Sequence, residues 1–341
     1  MNPENIPLVS IVIPAHNEER WIASCIKSFV SQTYKNTEII VVDDHSTDDT
    51  KKIAESFSGV SLISMDHLSG EANVRSAGAS SSRGDIIIQT DCDAVYPPEF
   101  IETTLKHFED PGVDGLSVGR IFVLEERKGL IADYFRVKRE SSFLVRNAGI
   151  KPPAGCFAMR RDVFEKNGPY DPSMTAGTDV DFSRRMGEKE MKIVWAKDTY
   201  FHHADPDKLS VFLRRIWNGA IYGKNLQKKW GGWPRGLSLA PFLARNLLAS
   251  LIPVAIIAGT VQPLFLILAF LLFSIEGVAP LVFLREQRTM AVLAIKQKKF
   301  ALLFALPVLL FLQLRASAYG KLYAMTVPHA SQRSVTFDVK E

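Results

Sequence analysis

The chain has 341 residues, room for about two domains. Its content of 47% hydrophobic, 23% charged and 10% aromatic residues excludes a disordered, collagen-like or low-complexity chain. With 41 Lys and Arg against 37 Asp and Glu the net charge is only +4, which gives no electrostatic case for nucleic acid as a partner.

The first residues lack a basic stretch followed by a signal-type apolar core, so the N-terminal region is expected in the cytosol. Three cysteines, Cys25, Cys92 and Cys156, match neither a metal knuckle nor a disulfide framework and suit a reducing compartment. Val9–Ile13 reads as a strand stopped by Pro14, and Trp21, Ile22, Cys25, Ile26 and Phe29 recur at helical spacing. Glu38–Val42 is a second strand ending at Asp43-Asp44, Asp48–Phe57 a helix and Val60–Ser64 a third strand. Glu71–Ser80 is a helix of small residues, and Ile86–Gln89 is a fourth strand. Strands alternating with helices predict a mostly parallel α/β sheet with both faces covered. Ligands bind such sheets beyond the carboxyl ends of the strands. His16-Asn17-Glu18, Asp43-Asp44 and Asp91-Cys92-Asp93 follow the first, second and fourth strands, so acidic groups collect where a cation would sit. Asp91 and Asp93 fall in one tight turn, and paired carboxylates of this kind suit Mg²⁺ or Mn²⁺ shared with a diphosphate.

From Leu116 to Tyr200 the pattern is less regular, and no internal repeat is visible. Lys151–Met159 is an apolar run punctuated by Pro and Gly, including Gly155, and Gly177–Asp181 opens a helix. Thr178 followed by Asp181 reads as a capping-box variant, which gives Asp181 a structural part. After His202-His203, the residues Leu209, Phe212, Leu213, Ile216, Trp217 and Ala220 mark one helix face, with Arg214, Arg215 and Asn218 elsewhere. Lys224, Lys228, Lys229, Trp230 and Trp233 follow, so residues 201–238 read as an amphipathic segment lying on a membrane. Apolar stretches near Leu239–Gly259, Pro263–Leu284 and Phe300–Tyr319 approach the ~20 residues of a span. About three transmembrane helices are expected over 239–322, with a tail over 323–341. The basic loop Arg285–Lys299 would face the cytosol, and Glu276 is an intramembrane candidate.

Five segments, VSIVIPAHNEE, EIIVVDDHSTDDT, Gly70–Gly78, GDIIIQTDCDA and GTDVDFSRR, resemble in order and spacing the family 2 inverting glycosyltransferases, over about residues 7–200. The resemblance implies a GT-A fold over residues 1–200, a nucleotide-sugar donor and Mg²⁺ or Mn²⁺ as cofactor. By position, Pro14, Asn17 and Glu18 match the first nucleotide-contacting loop, and Asp44 matches the residue that binds the base. Arg75 matches a cation near the nucleotide and diphosphate. Asp91 matches the residue near ribose and metal, and Asp93 matches the direct metal ligand. Asp179 matches the general base, the carboxylate that takes the acceptor proton. Thr178 stands where the family usually has Glu, and Ser76 where Asn is common. A downstream histidine contacts diphosphate or metal in some related enzymes, so His202 and His203 are candidates, with His203 an additional metal ligand. Gly155, Arg214, Arg215 and Trp217 are candidates for the acceptor side or the membrane interface. FLRRIW only faintly echoes the motif of processive synthases, so a processive enzyme is not expected.

The resulting expectation is an integral membrane hexosyltransferase with a cytosolic catalytic domain. It would move sugar from a UDP- or GDP-sugar to a lipid-linked saccharide or polyprenyl acceptor at the bilayer. A polyprenyl-phosphate sugar synthase and a non-catalytic membrane scaffold remain open alternatives. A nicotinamide oxidoreductase is disfavoured because no G-x-G-x-x-G follows the first strand.

Overall fold

The structure is a computed structural model in which residues 6–145, 156–174, 177–230 and 285–326 are described. The chain divides into two compact units, one of residues 1–125 and 146–205, the other of residues 126–145 and 206–341.

The first unit is built on eight strands: β1 (Val9–Ala15), β2 (Thr37–Asp43), β3 (Val60–Ser64), β4 (Ile86–Gln89), β5 (Ala94–Val95), β6 (Gly115–Val123), β7 (Phe157–Arg160) and β8 (Ile193–His203). They form one sheet in the order β3-β2-β1-β4-β7-β6-β8-β5. β1 to β4 are parallel, in the register Val9↔Thr37, Val9↔Ile86 and Ile39↔Val60. β7 runs antiparallel between β4 and β6, and β5 pairs antiparallel with β8, so the sheet is mixed. Helices α1 (Ile22–Val30), α2 (Thr50–Glu55), α3 (Glu71–Ser81) and α4 (Phe100–His107) follow the early strands. Helix α5 (Leu130–Val145) belongs to the second unit, while α6 (Arg161–Asn167) and α7 (Thr178–Glu188) return to the first.

Continuous β-branched runs become the central strands because both faces are covered. Ile11, Ile13 and Ile88 join Phe29, Phe100 and Phe201 in one core cluster. Val12 and Ile87 point the other way, to Phe157, Met159, Phe182 and Met186. The small residues of α3 have a steric purpose: a Cβ on Gly78 would lie 2.2 Å from Val12 Cγ1 and 3.0 Å from Val42 Cγ2. Between Val118↔Ala196 and Arg120↔Tyr200 the β6–β8 register shifts, and β8 then continues to His203 opposite Ala94.

The second unit is helical in its described part: α5, α8 (Leu209–Trp230), α9 (Arg285–Lys296) and α10 (Phe300–Thr326). Ser141 Oγ donates to the Glu286 carbonyl oxygen at 2.7 Å and Ser142 Oγ to Glu286 Oε1 at 2.5 Å, tying α5 to α9. Tyr134 bonds Gln313 and Lys299 pairs with Asp133, tying α5 to the α10 side. Tyr134, Phe135 and Phe212 meet edge to face at 5.2–5.7 Å.

Three expectations are corrected here. Arg285–Lys296 is a helix, not a loop, because Met290, Leu293 and Ala294 give it a buried face. Residues 201–203 complete β8, so the amphipathic helix begins at Leu209. Residues 126–145 pack with the C-terminal helices, so residues 1–200 are not one continuous unit. The first two expected spans fall in residues 231–284, outside the described residues, and the third falls on α10. Among the described residues no helix is long and apolar enough to cross a membrane.

Candidate active site

The carboxyl ends of β1, β2 and β4 open onto a cleft of about 350 Å³, lined by Pro14, Ala15, His16, Glu18, Asp44, Leu68, Glu71, Val74, Asp91, Cys92 and Asp93. The turn after β1 depends on Asn17, which holds a left-handed φ of 55° that its short polar side chain tolerates. Thr47 donates its N–H to Asn17 Oδ1 at 2.8 Å, and Asn17 donates its own to Ser46 Oγ at 2.9 Å. Glu18 donates its N–H to Thr50 Oγ1 at 2.7 Å. Asn17 thus laces two loops together, while the Glu18 side chain faces the cleft. Burial, then the Asp93 and Asp91 carboxylates, push the Glu18 carboxyl up to about 8.

Asp44 is 5% exposed and accepts the N–H groups of Ser69 at 2.6 Å and Gly70 at 2.9 Å. It therefore pins the turn that starts α3 and still lines the cleft. A carboxylate oxygen accepts more than one hydrogen bond, which leaves capacity for a ligand N–H.

Arg75 is 7% exposed and fully engaged: Nε donates to Glu71 Oε1 at 2.8 Å, one terminal nitrogen to the Thr90 carbonyl at 3.0 Å, and the other to Asp91 Oδ1 at 2.7 Å. Burial works against its charge, but Glu71 and Asp91 outweigh it and push its pKa up. Burial likewise raises the Asp91 carboxyl, and Arg75 pulls it back. The direct action of Arg75 is therefore to fix Asp91.

Asp91, Asp93 and His203 each offer a ligand atom, all within 4.8 Å of one another. His203 Nε2 lies 3.3 Å from Asp93 Oδ1. His202 points to the opposite face of β8, where its ring stacks on Phe122 at 5.5 Å, so His203 is the candidate ligand of the two. Two carboxylates and an imidazole suit Mg²⁺ or Mn²⁺ and leave positions for ligand oxygens. Burial is the main cause of the raised Glu18 carboxyl, but Asp93 and Asp91 add to it, a crowding of negative charge that a cation would relieve.

Asp179 lies at the start of α7, just after Gly177, which takes a left-handed φ of 70°. The axis of α7 is fixed by packing. A Cβ on Gly115 would meet Met186 at 3.1 Å, and one turn earlier Phe182 faces Phe157, which pairs with Ser117. Burial, then Glu71, push the Asp179 carboxyl up to about 6, with Asp91 adding to the rise and Arg75 opposing it. The expected capping box is absent, since the N-cap is Gly177 and Thr178 Oγ1 bonds nothing among the described residues, while Val180 donates its N–H to Asp179 Oδ1 at 2.8 Å. Asp181 is structural for another reason: it is fully buried and pairs with Arg185 Nε at 3.0 Å.

Gly155 lies outside the described residues. Arg214 and Trp217 are half-buried and Arg215 is exposed, all on α8 of the second unit. Cys25, Cys92 and Cys156 are buried, and burial pushes their thiols up, away from any nucleophilic use. The amino-acid pattern places His16 at the end of β1 but does not single out Glu71 or Asp205. Glu71 carries a readable signal, since it precedes Arg75 by four residues on one helix face. Asp205 carries none.

The profile of the glycosyl transferase family 2 matches residues 10–168. Glycosyltransferase AglE of Haloferax volcanii is 28% identical over 208 residues, 58% of this chain and 67% of that protein. Glycosyltransferase GlyG of Streptococcus pneumoniae is 29% identical over 126 residues, 36% of this chain and 42% of that protein, so the chain spans well under two thirds of it. In fold, the chain is similar to the mannosyltransferase PcManGT of Pyrobaculum calidifontis, solved with GDP-Man and Mn²⁺. The TM-score is 0.55 at 20% identity, covering 94% of this chain and 88% of that one. The matched segment supplies most of the strands and turns that build the cleft, so residues 10–168 resemble the glycosyl transferase family 2, and the mixed α/β sheet is GT-A-like in fold.

Proposed function

We propose that this chain transfers a hexose with inversion from a UDP- or GDP-sugar to a lipid-linked saccharide or polyprenyl acceptor at the cytosolic face of a membrane. One observation carries the reading: the ligand atoms of Asp91, Asp93 and His203 converge within 4.8 Å at the strand ends, in the electrostatic neighbourhood of Asp179. Pro14, Glu18 and Asp44 line the nucleotide side of the cleft, with Asp44 able to accept an imide or amide N–H of uracil or guanine. A bound divalent cation supplies Lewis-acid stabilisation for the charge that develops on the leaving diphosphate, and Asp91, Asp93 and His203 are the residues to hold it. Asp179 takes the proton of the acceptor hydroxyl as that oxygen attacks the anomeric carbon from the side opposite the diphosphate. Its carboxyl, pushed up to about 6, is mostly ionised at pH 7 and still basic enough to accept a proton. The GDP-Man and Mn²⁺ named with the mannosyltransferase of similar fold are a donor and metal of the kind this reading needs.

The membrane part of the proposal rests on the apolar sequence of residues 239–284 and on α10. There Phe300, Phe304 and Val308 are exposed along one stripe, Phe304 at 82%. Lys296 and Lys298 lie next to it in sequence, as anionic headgroups would favour.

The test is transfer of labelled sugar from a panel of UDP- and GDP-sugars to a polyprenyl-lipid extract, with Mn²⁺ and the full chain. One donor is expected to give a product of inverted configuration. Asp179→Asn should slow turnover by at least about 100-fold without altering the circular dichroism spectrum. A retained configuration, or unimpaired turnover in that variant, refutes the assignment.

A further inference from the structure

We propose that Asp205 is a positioning residue for the metal centre, holding the His203 ring so that Nε2 faces the cation site shared with Asp91 and Asp93. This rests on the metal reading above.

Strand β8 ends at His203, and the chain then turns. Ala204 donates its N–H to the Asp93 carbonyl at 2.9 Å, and Asp205 donates its N–H to the His203 carbonyl at 2.9 Å. These two bonds lock the turn to the metal-side loop and bring the Asp205 side chain back to the ring, with Oδ1 3.6 Å from His203 Nδ1. Pro206 follows, and a residue before proline is held away from the helical region, which stiffens the turn further. His203 is thus flanked on its two nitrogens: Asp93 on Nε2 at 3.3 Å and Asp205 on Nδ1.

Asp205 is 0% exposed and His203 5%. A carboxylate taken out of water is costly unless it is committed to a fixed polar partner, and an imidazole N–H is one. A neutral imidazole carries its proton on one nitrogen and ligates through the other. A carboxylate beside Nδ1 selects the form with the proton there and leaves the Nε2 lone pair toward the cation. At 3.6 Å the two groups are longer than hydrogen-bond distance, so the ring has to move toward Asp205 when a cation is bound. Metal-ligating histidines generally depend on such an outer partner, and its loss weakens metal binding about 10–100-fold.

The test uses the purified full chain titrated with Mn²⁺ alone, with Mn²⁺ and UDP, and with Mn²⁺ and GDP. Binding is followed by electron paramagnetic resonance, and pulsed measurements report nitrogen coupling to the bound ion. Wild type is expected to bind Mn²⁺ with a nitrogen coupling that His203→Ala removes. Asp205→Val and Asp205→Ser should each weaken Mn²⁺ about 10–100-fold and diminish the coupling. Asp205→Asn, which keeps an acceptor oxygen, should restore most of both. In the His203→Ala background, the same Asp205 substitutions should change affinity by no more than about twofold.

Equal losses with and without His203 would show that Asp205 acts on the fold and not through the ring, and would overturn the proposal. So would unchanged affinity and coupling in whichever of the Val and Ser variants keeps the wild-type circular dichroism. Wild type that binds Mn²⁺ in none of the three conditions overturns the metal reading itself. The two failures are therefore told apart.

Discussion

Asp179 is held at the edge of ionisation, and its consequences can be read in two separate measurements. With its carboxyl pushed up to about 6, the base form is lost as pH falls through that value. The logarithm of kcat/KM is expected to fall with unit slope below an inflection near pH 6, and an inflection near pH 4 would remove the burial account. The same shift has a stability sign. The folded state binds this proton more tightly than an unfolded chain with a value near 3.8, so the contribution of Asp179 is fully present below pH 4 and lost as pH rises through about 6. Asp179→Asn should therefore raise the free energy of unfolding in urea at pH 7.5, by no more than about 3 kcal/mol, and change it little at pH 4. Arg75 makes the opposite case: Arg75→Met leaves Asp91 without its buried guanidinium and should cost about 3–5 kcal/mol in urea unfolding. At this scale the acidic residues after β1, β2 and β4 were legible because strand-end carboxylates need little context. The choice between His202 and His203 was not, since it depends on a register shift in β8 that reverses no residue type. Asp205 was invisible because its role exists only once the turn after β8 has folded.

Among the elements, β1 to β4 and their helices were readable as β-branched runs and 3.6-residue spacing, and the small residues of α3 already hinted at close packing. That packing predicts that Gly78→Ala, forced against Val12 and Val42, costs about 1–3 kcal/mol by denaturant unfolding. A neutral effect would mean that α3 rides higher on β1 and β2 than described. The strands beyond β4 escaped the sequence reading for identifiable reasons. β5 has only two residues, β7 closes an apolar run punctuated by Pro and Gly, and the Lys197-Asp198-Thr199 stretch interrupts the alternation of β8. Around α9 the five basic residues over 285–299 suggest a connecting loop, whereas Met290, Leu293 and Ala294 form an apolar helical face.

At the scale of the whole molecule, the sequence places boundaries near residues 200, 238 and 322 and none within the first 200, whereas the chain leaves its first unit at residue 126 and re-enters it at residue 146. Nothing in the charged sequence of α5 announces that excursion; it becomes visible only through partners such as Glu286 and Gln313, more than 140 positions away. A chain ended after Asp205 deprives α5 of these partners and of Phe212, which meets Tyr134 and Phe135. Such a truncated chain is expected to bind a hydrophobic dye and self-associate, and a monodisperse, dye-silent product would count against the pairing of α5 with the C-terminal helices.

The proposed mechanism needs metal ligands that hold the donor and a separate carboxylate that takes the acceptor proton. The most direct test measures nucleotide-sugar binding, with Mn²⁺ and with a chelator, together with turnover, in wild type, Asp93→Asn and Asp179→Asn. Wild type should bind one nucleotide sugar only with Mn²⁺, and Asp93→Asn should lose that binding. Asp179→Asn should bind as wild type does while turning over at least about 100-fold more slowly. Equal binding in the presence of chelator, or unimpaired turnover in either variant, would contradict it.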